Sequence, residues 1–278
     1  MNRSERRRQD AIQGKSGHAP DSFALRNLLD QGKRHHQAGQ LAEAERSYQL
    51  ALNMAPGHPE ALHLLGLLAY RVGSFDQAID LIRHAIDGTP NSPLYWFNLG
   101  VVTQRAGKPE DAVRAYERAI ELNSKYVDAL INLGNVLKDQ HRLAEAVETY
   151  RKALALNPAH ADTHNNLGVA LKEQNALREA IAAYREAIRL KPAHFEAWNN
   201  LGLALMETGA SDEAIAAFRQ ALTIVPDSSK ALYNLGIAAM WKGDHTGAIA
   251  YFSQVAERKH NHGGPVQETG LFRSRLKH

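Results

Sequence analysis

The sequence predicts an all-α fold, a solenoid of seven stacked helix–turn–helix units. Three observations predict it. Glycine recurs at Gly32, Gly66, Gly100, Gly134, Gly168, Gly202 and Gly236, each 34 residues after the last. Alanine keeps the same step at two further positions, Ala44 to Ala248 and Ala51 to Ala221, with Val255 closing the second series. Proline ends five copies, at Pro56, Pro90, Pro158, Pro192 and Pro226, while Ser124 and His260 stand in the other two. Seven copies of 34 residues fill 25–262 without insertion or deletion, as 25–58, 59–92, 93–126, 127–160, 161–194, 195–228 and 229–262. Residues 1–24 are expected to be a basic, disordered N-terminal segment and 263–278 a basic tail or short cap.

Each part of the unit has a physical reason. In the first helix, positions 4, 7, 8 and 11 share one stripe, as Trp198, Leu201, Gly202 and Leu205 show. A glycine inside a helix costs about 1 kcal/mol relative to alanine, so its recurrence needs a packing reason. The reason expected is close approach of the second helix, completed by the alanines at positions 20 and 27. Gly39, Gly73, Gly107, Gly209 and Gly243 fall at position 15, where the first helix should end. Tyr48, Tyr116, Tyr150, Tyr184, Phe218 and Phe252, at position 24, are expected to fill the gap towards the next copy. The closing proline stops the second helix. One such pair cannot bury its own apolar face, so stability comes from stacking neighbours.

This pattern resembles the tetratricopeptide repeat (TPR), whose signature is a bulky residue, Leu-Gly, then spaced alanine, aromatic, alanine and proline. The third copy carries Trp96, Leu99, Gly100, Ala112, Tyr116 and Ala119, and the sixth Trp198, Leu201, Gly202, Ala214, Phe218, Ala221 and Pro226. The resemblance implies a right-handed superhelix with a concave inner surface.

Composition narrows the function. A net charge of +3, 44% hydrophobic and 23% charged residues mark a folded chain, and the absence of cysteine excludes disulfides, thiolate metal ligands and a cysteine nucleophile. The longest apolar stretch, Ala61–Tyr70, is too short to span a bilayer, and the N-terminus has no apolar core of a signal peptide. No phosphate loop, nucleophile elbow or dinucleotide fingerprint is present. A soluble, cytoplasmic, non-enzymatic protein without cofactor, metal or small-molecule substrate is expected. Basic residues crowd into 1–18 and 257–278, five against two acids in each, which leaves the middle at 23 against 26, a net −3. The basic ends are read as solubilising sequence, so nucleic acid and membrane are disfavoured as partners.

The helical wheel directs positions 2, 6, 9 and 13 away from the core stripe; the repeat resemblance places them on the concave surface. Position 6 reads Asn98, Asn132, Asn166, Asn200 and Asn234 in the last five copies, with Asp30 and Leu64 before them. An asparagine amide offers a donor and an acceptor, which matches the backbone of an extended peptide. The array is similar to the asparagine ladder in the repeat domain of O-linked N-acetylglucosamine transferases, which holds extended protein segments. Val101, Val169, Leu203 and Ile237 at position 9 are expected to contact side chains, with Asn135 the exception. Asp128, Asp162 and Glu196 at position 2, with Asp139, Glu173 and Glu207 at position 13, should make the groove acidic and draw a neutral-to-basic segment. A carboxylate clamp, the other familiar mode, needs cations at positions 2, 5 and 6 of consecutive copies; here position 6 carries asparagine, position 2 is acidic in copies four to six, and Lys33 and Lys230 are isolated. The expected function is a protein-interaction scaffold that binds an extended partner segment. The alternative is the recognition arm of a protein-modifying enzyme, such as a glycosyltransferase, whose catalytic domain lies elsewhere.

Weaker signals have structural readings. His160 and His164 flank Asp162 at a spacing that suits two metal ligands, but His58, His160 and His194 all occupy position 34 and read as repeat-junction residues. The first copy, with Gln31 for leucine, is expected to act as a cap. The second is apolar on its open face through Leu64 and Leu67, which suits self-association.

Overall fold

The computed structural model describes residues 22–261, and all its regular structure there is helical. The chain divides into two compact units. The first, up to Gln140, holds α1 (Ser22–Gln37), α2 (Leu41–Met54), α3 (Pro59–Arg71), α4 (Phe75–Gly88), α5 (Pro93–Arg105), α6 (Pro109–Leu122) and α7 (Val127–Asp139). The second, from His141, holds α8 (Leu143–Leu156), α9 (Ala161–Glu173), α10 (Leu177–Leu190), α11 (Phe195–Glu207), α12 (Ser211–Ile224), α13 (Ser229–Trp241) and α14 (His245–Asn261). Helix α1 begins at Ser22, so Ser22, Phe23 and Ala24 are helical; the expectations for 1–21 and 262–278 lie outside the described residues.

Each unit is a stretch of α-solenoid. Consecutive helices pack antiparallel, and the first helices of neighbouring copies also touch each other, as α3 touches α5 and α11 touches α13. The second helices of neighbouring copies stand farther apart and meet through long side chains, as Arg151 does with Glu179 at 2.6 Å. The first helices therefore line the inner side of each unit.

The glycine at position 8 is explained by the side chain at position 24 of its own copy, Ile82 in the second copy and an aromatic ring against Gly32, Gly100, Gly168, Gly202 and Gly236. A Cβ on Gly100 would stand 2.5 Å from Tyr116 Cε1, and one on Gly202 would stand 2.5 Å from Phe218 Cε1. The ring thus lies across the bare backbone of the same copy, where the sequence pattern had suggested the gap towards the next one. Tyr116, Tyr184 and Phe218 are wholly buried there.

Turns follow the same logic. Gly73, Gly107 and Gly209 have φ of +84°, +71° and +80°, the left-handed conformation that ends the first helix. His141 and Asn175 occupy the same position with φ of +57° and +63°, so the turn keeps its shape where glycine is lacking. Position 34 caps the next helix through its side chain at His58, Ser92, His160 and Ser228, and not at Tyr126 or His194. His58 Nδ1 accepts from the Ala61 amide at 3.3 Å and His160 Nδ1 from the Thr163 amide at 3.2 Å, as the Ser92 and Ser228 hydroxyls do for Tyr95 and Ala231. Position 4 closes the junction from the other side. Trp96, His164 and Trp198 donate a ring N–H to the carbonyl of Pro90, Pro158 and Pro192 at 2.8–2.9 Å. His160 and His164 are thereby engaged in capping and junction bonds.

Candidate functional site

The inner face of each unit is built from positions 2, 5, 6, 9 and 13 of the first helices. In unit 1, Asn98 and Asn132 are half-buried, as is Val101. In unit 2, Asn166, Asn200 and Asn234 are half-buried beside Val169, Leu203 and Ile237. Asp128, Asp162 and Glu196 stand exposed at the rim. The half-buried asparagines and apolar residues stand on the first helices of their own units, with the three carboxylates exposed beside them.

The asparagines are not free side chains standing in solvent. Asn200 Nδ2 donates to Asn165 Oδ1 at 3.0 Å, and Asn234 Nδ2 donates to Asn199 Oδ1 at 2.9 Å. In unit 1, Asn98 Nδ2 lies 2.8 Å from His63 Nε2, and Asn132 stands beside the Tyr116 hydroxyl, which donates to Gln104 Oε1 at 2.9 Å. One N–H of Asn98, Asn200 and Asn234 is therefore spent on the preceding copy. The carbonyl oxygens of Asn200 and Asn234 receive no hydrogen bond from the described residues.

Position 5 was missed by the wheel argument, which sorted residues only into core stripe and opposite face. Asn165 is 8% exposed and Asn199 is fully buried, so both sit beneath the ladder as its acceptors. The signal was available: Asn-Asn occurs at 165–166 and again at 199–200, one period apart. A buried amide needs a partner, and the nearest in register is the exposed amide of the next copy.

Tyrosine hydroxyls share this layer. Burial pushes Tyr48 up to about 12 and raises Tyr116 and Tyr184 further. The Tyr48 and Tyr184 hydroxyls have no partner among the described residues. Leu64 takes the ladder position above Tyr48, and Asn200 turns to Asn165, so neither tyrosine finds the amide that Tyr116 finds. Leu64 packs instead on the cluster that includes Tyr48 and Leu65, which removes part of the apolar patch expected in the second copy.

The groove is less acidic than its carboxylates suggest. Lys138 meets Asp139 at 2.8 Å and Lys172 meets Glu207 at 3.1 Å. The buried His194 ring lies between Asp162 (3.0 Å) and Glu196 (3.2 Å), and Lys191 stands 3.6 Å from Asp162. Lys33 is held by Glu60 at 2.6 Å, which raises its pKa. His63 is stacked on Tyr95 with centroids 4.3 Å apart, and burial drives its pKa down to about 4, so it is neutral at pH 7. Among the described residues no group of three or more His, Asp or Glu could hold a metal ion, and no helix is long and apolar enough to cross a membrane.

Comparison with protein families finds three matching models. Two are described as "Tetratricopeptide repeat", one over residues 29–93 and 165–229 and the other over 205–268. The third, "TPR repeat", matches 105–141 and 134–175. Comparison with curated protein sequences gave no match. Among solved structures, a MamA protein is 27% identical with a TM-score of 0.58, covering 61% of this chain and 92% of its own. YrrB, described as a TPR protein with an unusual peptide-binding site, is 24% identical with a TM-score of 0.56, covering 65% and 93%. A tetratricopeptide repeat protein from Parabacteroides merdae is 17% identical with a TM-score of 0.65, covering 86% and 95%.

Proposed function

Since the chain belongs to the tetratricopeptide-repeat family, we propose that it is a non-catalytic interaction scaffold whose inner face holds an extended segment of a partner protein. One observation carries this reading. Asn200 and Asn234 are fixed through their amide nitrogens by the preceding copy, while their carbonyl oxygens stay open. An acceptor held in one orientation before binding loses little entropy on capture. Its complement is a backbone N–H, which every residue of an extended segment except proline offers. Val169, Leu203 and Ile237 then meet the side chains, and Val101 beside Asn98 and Asn132 does the same in unit 1. Asp128, Asp162 and Glu196 favour a neutral-to-basic segment. The alternative, a recognition arm serving a catalytic domain on another chain, uses the same groove and differs in what the captured segment undergoes afterwards.

The test is affinity capture from native lysate with wild type and the Asn166→Ala/Asn200→Ala/Asn234→Ala variant, then titration of the captured segment against both. The expected result is a loss of about ten-fold or more in affinity at unchanged helical content, each lost hydrogen bond contributing roughly 0.5–1.5 kcal/mol. Equal affinity for a fully helical variant would remove the ladder from the account.

A further inference from the structure

On the second-helix side of unit 1, α4, α5 and α6 enclose a cavity of about 460 Å³. Its floor is apolar, made by Trp96, Leu99 and Ile86. The Trp96 indole is pinned by its N–H on the Pro90 carbonyl at 2.8 Å, so the ring is set in place before any ligand arrives. The rim is charged. Asp111 is shared by Arg83 at 3.5 Å and by Arg114, so both rim cations turn to one carboxylate. Asp80 and Asp87, two turns apart on one face of α4, have no hydrogen bond or ion pair with any described residue. His84 lies between them on the same face.

Unit 2 repeats the architecture without that chemistry. Trp198, Leu201 and Ile188 floor a cavity of about 310 Å³ at the same positions of the repeat. Trp198 is pinned on the Pro192 carbonyl at 2.9 Å, and Arg185 on the rim pairs with Glu213 at 2.8 Å. Where unit 1 has Asp80 and Asp87, unit 2 has Ala182 and Arg189, and Arg189 is paired with Glu186 at 2.7 Å. The aromatic floor is kept; the unpaired carboxylates are not.

We propose that the unit 1 cavity is a binding site for an arginine side chain of a partner peptide. A guanidinium offers a flat, weakly hydrated cation that stacks on an indole, with N–H donors in a fork that two carboxylates can accept. Its methylene stem covers Leu99 and Ile86 while the charged head stays at the rim beside Asp80 and Asp87. Three carboxylates against two guanidinium groups leave the rim with an excess of acceptors. The site lies on α4, α5 and α6 away from the asparagine ladder, so it stands or falls separately from the groove.

The test is a titration of the full chain with a doubly capped peptide, acetyl-Gly-Arg-Arg-Gly-amide, followed by the indole N–H resonances and by calorimetry. The expected result is a saturable shift of the Trp96 resonance, absent for the citrulline analogue. D80N/D87N, both exposed positions, should weaken binding about ten-fold. W96L should weaken it about five-fold; position 4 is leucine in four other copies, so the variant keeps a side chain the repeat accepts. W198L and the asparagine-to-alanine variant should bind as wild type. No saturable shift, equal binding of the citrulline peptide, undiminished affinity in D80N/D87N, or an equal loss in W198L would each overturn the proposal.

Discussion

At position 5 of the first helix, unit 1 has His63 and Phe97 where unit 2 has Asn165 and Asn199. His63 stacks on Tyr95 and faces Asn98 through a ring nitrogen, so its copy meets the ladder with an aromatic wall. Asn165 and Asn199 meet the ladder with buried carbonyls, each taking an N–H from the copy that follows. On the other side of the repeat, two equivalent Trp-floored cavities differ in the same way, through Asp80 and Asp87 against Ala182 and Arg189. The press of the position-24 side chain on the position-8 glycine, and the left-handed turn, recur in both units. This repeat keeps its scaffold at positions 8, 15, 20, 24 and 27, while the surface chemistry changes at positions that vary without loosening the stack.

The largest test of this contrast is pH. His63 has a folded-state pKa of about 4, below the usual 6.5. Between those values the unfolded chain takes a proton that the folded chain refuses, so stability is full above pH 6.5 and falls as pH drops towards 4. The loss approaches about 3 kcal/mol by the linkage relation. Glu60, which opposes the downward shift, faces the same ring. His63→Phe borrows the residue of Phe97 and should shrink the difference between urea midpoints at pH 7 and pH 4.5. An unchanged difference would assign the pH dependence to other groups and erase this distinction from unit 2, whose matching positions do not titrate.

Next in size is the scaffold. Gly100→Ala and Gly202→Ala each drive a methyl group into a buried ring at 2.5 Å and should cost about 2 kcal/mol or more. Both variants are compared by chemical denaturation. Similar losses sharpen the view that the units share one scaffold; a loss confined to one unit would break it.

The smallest effect concerns the turns. His141→Gly relieves a left-handed backbone at φ +57° and should raise stability by about 1 kcal/mol. Asn175→Gly, at φ +63°, should gain less, because asparagine tolerates this conformation better. The check is the ranking of the two thermal midpoints.

Much of the fold was legible. The 34-residue step anticipated the alternation of first and second helices, and the wheel set Asn98, Asn132, Asn166, Asn200 and Asn234 apart from the core stripe, where they are half-buried. The glycine at position 8 announced a close approach, yet only the structure showed that the ring pressing on it is the aromatic of the same copy. His160 and His164 drew attention by spacing, and proved to be a cap and a junction donor. The sequence contained no direct sign of the Trp-floored cavities, since Trp96 and Trp198 read simply as bulky core residues.

By itself, then, the sequence determined the helical class, the period and the core stripe of the first helix, because these depend on residues three, four and 34 apart in a regular register. The tertiary structure decided which amide bonds which neighbour, which hydroxyl is left alone and which carboxylate stays unpaired. Those outcomes depend on side chains from different helices competing for one donor, as Asn165 and Tyr184 do for the amide of Asn200. Helical periodicity gives the direction of a side chain from its axis. It does not say which of two nearby acceptors the side chain will reach, and that choice sets what remains open to a partner.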